Sequence, residues 1–90
     1  MSEIAIGDVV KATAGRDKDR FFLVISVTDG FAYIADGKTR KIGKLKKKNL
    51  KHLIKAAGAT LYSEALKIKR GESFGNERLK KAIIRATQNQ

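Results

Sequence analysis

Alternating apolar and polar positions predict that the first half of the chain forms short β-strands between tight turns. Residues 8–14 mix β-branched and polar side chains between two glycines and predict the first strand. Residues 21–28 are the most apolar run and predict the second strand. Its apolar side chains fall on both faces: Phe21, Leu23, Ile25 and Val27 on one, and Phe22 and Val24 on the other. We therefore expect this strand to be covered on both sides near its start.

Glycine-containing turns separate this run from a third strand. Asp29-Gly30 predicts a two-residue hairpin that leads into a strand over 31–35. Asp36-Gly37 then predicts a second tight turn, because the short Asp side chain bonds turn backbone and Gly accepts a positive φ.

The rest of the β region is less regular. Residues 38–45 predict a weak fourth strand or an extended arm, and residues 46–49 are too polar and like-charged to pack. Residues 50–54 predict a short closing strand. Five short strands with a long, bent second strand favour a small barrel, since closure removes exposed edges.

The last third of the chain changes to helical periodicity. Ser63 is expected to cap a short helix that Gly71 ends, and Asn76 to cap a second one. The second helix carries an apolar stripe formed by Leu79, Ala82, Ile83 and Ala86. A helix of this length is marginal alone, so we expect its stripe to dock on the barrel or on a partner.

These elements predict one mainly β domain followed by helices. We expect residues 1–55 to form the barrel, residues 56–62 a linker, and residues 63–90 a helical extension packed on the barrel. A chain of 90 residues has no room for a second full core.

Charge adds the first functional signal. The formal net charge is +11, distributed as −2 over residues 1–36, +9 over residues 37–63 and +4 over residues 64–90. Residues 37–63 contain no carboxylate, so local ion pairs cannot neutralise them, and their field must point at solvent or at a polyanion.

Several function classes are excluded by composition. The chain has no Cys and one His, which excludes thiolate zinc sites and cysteine nucleophiles and leaves little for acid–base catalysis. No nucleophile triad, paired carboxylates or phosphate-binding loop motif is present. No apolar run is long enough to span a bilayer. We expect a cytoplasmic protein, monomeric when free, with no enzyme activity, cofactor, metal or membrane partner.

The main candidate site is the lysine-rich stretch over residues 38–55, here called the basic segment. It holds nine cations within 18 residues: Lys38, Arg40, Lys41, Lys44, Lys46, Lys47, Lys48, Lys51 and Lys55. Such a stretch neutralises phosphates and releases counterions. The alternative interpretation is a solvated surface that only aids solubility.

A second candidate site is the charged turn after the first strand. Gly15 is expected to have a positive φ, and its missing Cβ also lets a phosphate approach the backbone. Arg16, Lys18 and Arg20 follow as candidate RNA contacts, Arg16 first among them because its planar fork bonds phosphate bidentately. Asp17 and Asp19 alternate with them, so an ion-pair network on the turn is the alternative.

Aromatic residues and the single histidine complete the candidates. Phe31 and Tyr33 are the aromatics best placed to stack on bases, with Phe21, Phe22 and Tyr62 as weaker candidates; burial in the core is the alternative for each. His52 is expected to pack against the barrel or to hydrogen-bond RNA.

Taken together, these motifs resemble the KOW motif. The matching stretches are Gly7-Asp8-Val9-Val10, Ala14-Gly15-Arg16-Asp17-Lys18, the strand over 21–27 and Ile34-Ala35-Asp36-Gly37-Lys38, followed by the lysine run through His52-Leu53. Over nearly its whole length the chain is similar to small bacterial KOW-domain proteins related to large-subunit ribosomal proteins of eukaryotes and archaea.

The resemblance implies a five-stranded SH3-like barrel that binds RNA, often ribosomal RNA, without catalysis. It implies ribosomal proteins as further partners and Gly15 as the motif glycine. Two residues depart from the pattern: Asp19 stands where the family often has Gly or another small residue, and Leu45 replaces a common Pro. Two other functions stay open, a protein-interaction adaptor and a nonspecific DNA-binding protein.

Overall fold

Five antiparallel strands form one sheet in the computed structural model of the protein, which describes residues 4–56 and 60–88. They are β1 (Val9–Ala12), β2 (Phe21–Thr28), β3 (Phe31–Ala35), β4 (Lys46–Asn49) and β5 (Leu53–Lys55). Their order across the sheet is β4-β3-β2-β1-β5, which confirms the mainly β prediction. The sheet is open, because no pairing joins β4 to β5 among the described residues, whereas the sequence predicted closure.

The lysine run itself forms the fourth strand, which corrects the sequence prediction. β4 pairs with β3 at Lys46–Ile34, Lys47–Tyr33 and Lys48–Ala32, while residues 38–45 form turns and loop. A ladder needs only backbone groups, and the long stems of lysine cover apolar neighbours while the ammonium stays in polar surroundings. Lys48 Nζ, for example, donates to the carbonyl of Ala14 at 3.0 Å.

A short 3₁₀ helix (Leu50–His52) joins β4 to β5. The predicted closing strand over 50–54 is therefore a helical turn followed by a strand that begins at Leu53. Asn49 stabilises the start of the turn, since its side chain accepts a hydrogen bond from Lys51 N at 3.0 Å.

A β-bulge in β2 reverses the side-chain alternation halfway along the strand. Val24 pairs with Ile34, but Ser26 pairs with Tyr33, so Ile25 is the extra residue. Val27 consequently lies on the same face as Val24 and is 37% exposed, whereas strict alternation predicted it beside Leu23.

Two apolar clusters cover the two faces of the sheet. The outer cluster joins sheet and helix residues: Val9, Leu23, Ile25, Ala35, Ala65, Ile68, Phe74, Leu79 and Ile83. The inner cluster contains Val10, Ala12, Phe22, Val24, Ala32, Ile34 and Leu53. The prediction that β2 is covered on both sides is confirmed. Ile4, and Leu50 of the 3₁₀ helix, pack against the inner cluster, in which Phe22 and Ile34 are both 0% exposed.

Two helices cover the outer face, α1 (Tyr62–Lys69) and α2 (Asn76–Ala86). The N-cap of α1 is Leu61, two residues before the predicted Ser63, and the N-cap of α2 is Gly75, one residue before the predicted Asn76. Leu79 and Ile83 of the predicted stripe are buried in the outer cluster. In the described ranges no helix has the length and apolarity needed to cross a membrane.

The predicted linker over 56–62 is only partly visible, since residues 57–59 lie outside the described residues. Its C-terminal end is anchored on the strand region. The backbone N–H of Leu61 and the hydroxyl of Thr60 donate to the carbonyl of Gly7 at 2.8 and 3.0 Å.

The start of α2 is fastened to the loop that follows β3. Asn76 Oδ1 accepts a hydrogen bond from Ile42 N at 2.8 Å. Gly37 has a φ of +80°, and a Cβ built there would lie 2.2 Å from the backbone oxygen of Asn76. The helix therefore approaches this loop as closely as only glycine allows.

Gly37→Ala is expected to lower the free energy of unfolding by about 2–4 kcal/mol, because it adds both a clash and a strained positive φ. Gly43→Ala is the matched control in the same loop, since no atom lies within 4 Å of its Cβ position. It should change stability by less than about 1 kcal/mol. Urea unfolding of both variants makes the comparison; equal midpoints would contradict the close approach.

Candidate nucleic-acid interface

Ion pairs neutralise two of the nine cations of the basic segment. Arg40 Nη2 lies 2.9 Å from Asp17 Oδ2, and Lys55 Nζ lies 3.6 Å from Asp8 Oδ2. The expectation that the whole segment faces solvent or a polyanion is therefore wrong at these two positions. In residues 4–56 and 60–88, no carboxylate lies within 4.0 Å of the other seven: Lys38, Lys41, Lys44, Lys46, Lys47, Lys48 and Lys51.

The Asp17–Arg40 pair joins the charged turn to the basic segment. Arg40 Nε and Nη2 both donate to Asp17 Oδ2, at 3.2 and 2.9 Å. The side chain of Asp17 is 4% exposed and that of Arg40 28%. Asp17 is therefore a buried residue of the charged turn, and a partner 23 residues away compensates its charge.

The backbone of the charged turn has two left-handed residues. Gly15 has a φ of +81°, as predicted, and Asp19 a φ of +71°. A Cβ on Gly15 would lie 3.0 Å from Lys48 Nζ, so the turn lies next to β4. Asp19 lies 4.0 Å from Lys11 rather than from a cation of its own turn.

The three cations of this turn are exposed side chains. Arg16 and Lys18 form no ion pair within 4.0 Å in the described ranges, and Arg20 Nη1 donates to Thr39 Oγ1. The structure thus brings the turn and the first part of the basic segment together through Arg20–Thr39 and Asp17–Arg40.

Aromatic side chains accompany the lysines on β3 and β4. Phe31 and Tyr33 are half-buried, and Lys47 Nζ lies 4.4 Å from the centroid of the Phe31 ring. Phe22, by contrast, is fully buried in the inner cluster, so it cannot stack on a base. Tyr62 is 49% exposed at the start of α1.

His52 is exposed at the end of the 3₁₀ helix, so of its two predicted roles packing against the barrel is wrong, and a hydrogen bond to RNA stays a prediction. Its backbone carbonyl accepts a hydrogen bond from Thr13 N at 2.8 Å.

Sequence reasoning missed a second basic surface on α2. Arg78, Lys81 and Arg85 line a cleft of about 210 Å³ together with Phe74 and Glu64. Arg78 lies 4.5 Å from the centroid of the Phe74 ring. The spacing i, i+3 and i+7 places the three cations on one helix face and is a signal readable from the sequence.

The arrangement can bind anions, and nothing in it assembles a metal centre. No group of three or more His, Asp or Glu residues suited to a metal ion occurs in the described part of the chain. Comparison with protein-family models and with curated proteins finds no match to this chain.

Arg40→Gln is expected to lower the free energy of unfolding by about 2–4 kcal/mol, because it leaves the buried Asp17 carboxylate without its cation. Lys41→Gln removes an equal charge at the next position, where the side chain is exposed and unpaired, and should cost less than about 0.5 kcal/mol. Thermal unfolding followed by circular dichroism measures the stability of both variants. If Arg40→Gln lost no more stability than Lys41→Gln, a structural role for the Asp17–Arg40 pair would be contradicted.

Proposed function

We propose that the protein is a non-enzymatic RNA-binding protein that contacts ribosomal RNA through its basic segment. The observation that carries the proposal is the set of seven lysines, all between residues 38 and 51, that have no carboxylate partner in the described part of the chain. Like charges held this close on a folded surface repel one another, and a phosphate backbone relieves that repulsion while its condensed counterions are released.

The residue types favour recognition of backbone and shape over base sequence. Lysine is a flexible point charge, and contacts to phosphate position a protein without reading sequence. Phe31 and Tyr33 beside Lys47 add aromatic surface on which an unpaired base can stack. Arg16, Lys18, Arg20, Lys51 and His52 extend the proposed contact surface on either side.

We propose further that the sheet is an SH3-like KOW domain. Two observations support this: the left-handed Gly15 at the motif position and the φ of +71° at Asp19. The positive φ of Asp19 supports the assignment because Asp19 occupies the position where the family often has glycine, the residue that this conformation favours. A KOW domain of this kind implies ribosomal proteins as additional partners and a cytoplasmic site of action.

The test of RNA binding is a salt titration by fluorescence anisotropy, with a labelled stem–loop RNA as the probe. The affinity should fall steeply with salt, with a logarithmic slope of about 0.7–0.9 per neutralised phosphate. Lys47→Gln/Lys51→Gln should weaken binding about tenfold and reduce the slope by about two contacts. Lys67→Gln/Lys69→Gln, the same charge change on α1, should weaken it much less. A wild-type chain that ignores the RNA at low salt would contradict the proposal.

One observation favours a second candidate, a protein-interaction adaptor. A groove of about 460 Å³ lies between α2 and the start of β2, with Phe21, Ile83 and the 61% exposed Ile84 among its walls. Exposed apolar side chains of this size are typical of peptide-binding surfaces. An apolar interface is nearly insensitive to salt, so the same titration separates the two functions.

A further inference from the structure

The loop between β3 and β4 encloses a cleft with an unusually one-sided lining. Its volume is about 490 Å³, and its walls are Thr39, Arg40, Lys41, Lys44, Leu45 and Lys46. Four of these six residues are cations, and none is a carboxylate. Pockets for small organic ligands are mostly apolar, whereas this lining is mostly cationic and is therefore suited to an anion. We refer to it as the loop cleft.

A β-turn brings two of the lysines together. The backbone N–H of Lys44 donates to the carbonyl of Lys41 at 3.0 Å, which closes a four-residue turn. The first and last residues of such a turn lie within about 7 Å of each other. Both lysines are exposed and line the loop cleft, and no carboxylate is among the lining residues.

Tertiary contacts hold this turn in place. Ile42 packs against the outer cluster, and its backbone N–H donates to Asn76 Oδ1 of α2. Asp36 Oδ1 accepts hydrogen bonds from the backbone N–H groups of Lys38 and Arg40, at 2.9 and 2.8 Å. Because these contacts anchor the turn on both sides, Lys41 and Lys44 cannot relieve their mutual repulsion by a movement of the backbone.

Arg40 is oriented in the wall of the loop cleft by the buried Asp17. The carboxylate engages Nε and Nη2, while no acceptor in the described residues engages Nη1. A guanidinium fixed in this way presents an N–H group at a defined angle, which suits a phosphate oxygen.

Two further clefts among the described residues have a carboxylate in their lining. The groove beside α2 has three cations in its lining but also Asp36, and the cleft beside Phe74 has three cations but also Glu64. A carboxylate in the wall repels phosphate at short range, so charge complementarity singles out the loop cleft.

We propose that the loop cleft seats a phosphodiester group of RNA, with Lys41 and Lys44 closing on the phosphate and Arg40 donating from the wall. This rests on the proposed RNA-binding function and adds a defined phosphate position to it. Asp17 is a positioning residue in this scheme, because it acts on the phosphate only through Arg40.

The experiment compares variants of equal charge by fluorescence anisotropy, with a labelled stem–loop RNA and a DNA hairpin of the same sequence as probes. Lys41→Gln/Lys44→Gln should lose about tenfold or more in RNA affinity. Lys67→Gln/Lys69→Gln removes two lysines from α1, outside the loop cleft, and should lose no more than about threefold. Equal losses in the two double variants would overturn the loop cleft, even though the wild-type chain binds RNA.

Removal of a carboxylate separates the proposal from a general charge effect, because the two predict opposite changes in RNA affinity. Asp17→Asn and Asp29→Asn each raise the net charge by one, and Asn is tolerated at the left-handed position of Asp29. A general field effect strengthens RNA binding in both. The proposal instead requires Asp17→Asn to weaken binding, because Arg40 loses its orientation, while Asp29→Asn strengthens it slightly. Circular dichroism confirms that each variant is folded at the assay temperature.

The outcomes separate the two levels of the proposal. Stronger binding by Asp17→Asn, or indifference of the RNA to Lys41→Gln/Lys44→Gln, overturns the loop cleft alone. Absence of RNA binding by the wild-type chain overturns the proposed function and the loop cleft with it. Equal wild-type affinity for the DNA hairpin overturns RNA as the ligand.

Discussion

The contact between the first turn of α2 and the loop after β3 is the constraint on which the rest of the molecule depends. The backbone of Asn76 rests against Gly37, where no Cβ fits, and the Asn76 side chain holds Ile42. The same contact completes the outer cluster, since it fixes the end of α2 from which Leu79 and Ile83 reach the sheet. One short interface therefore determines both the packing of the outer cluster and the shape of the β3–β4 loop. A substitution that disturbs the packing is expected to alter the loop as well.

The cations of the basic segment fall into two groups, those paired with carboxylates and those without a carboxylate partner in the described residues. Arg40 and Lys55 are paired with carboxylates of the N-terminal third and hold the β3–β4 loop and β5 against it. Among the described residues, the lysines between them have no carboxylate partner, although the Lys48 ammonium donates to the Ala14 carbonyl and Lys47 lies over the Phe31 ring. A buried carboxylate such as Asp17 costs free energy to desolvate, and that cost is offset only because the arginine is in place. Formal charge alone thus overstates how much of the basic segment is available to a ligand.

Local patterns in the sequence were sufficient for part of this structure. The Asp29-Gly30 hairpin, the positive φ of Gly15 and the two-sided burial of β2 each follow from neighbouring residues. The bulge at Ile25, the buried partner of Arg40 and the strand formed by four polar residues do not, because each depends on groups far away in the chain. In β4 the ladder with β3 overrides a poor strand propensity. Within the candidate site, residue types were readable, whereas the grouping of Lys41 with Lys44 required the turn.

The position of the lysine strand has a consequence for the behaviour of the free protein. β4 is an outer strand of an open sheet, and the unpaired backbone groups of such a strand invite a second chain to add on. Three consecutive lysines prevent this, because two copies would have to bring like charges into register. The side chains proposed to meet RNA therefore also guard against aggregation. Exchange of these lysines for β-branched neutral residues would remove this protection of the outer strand.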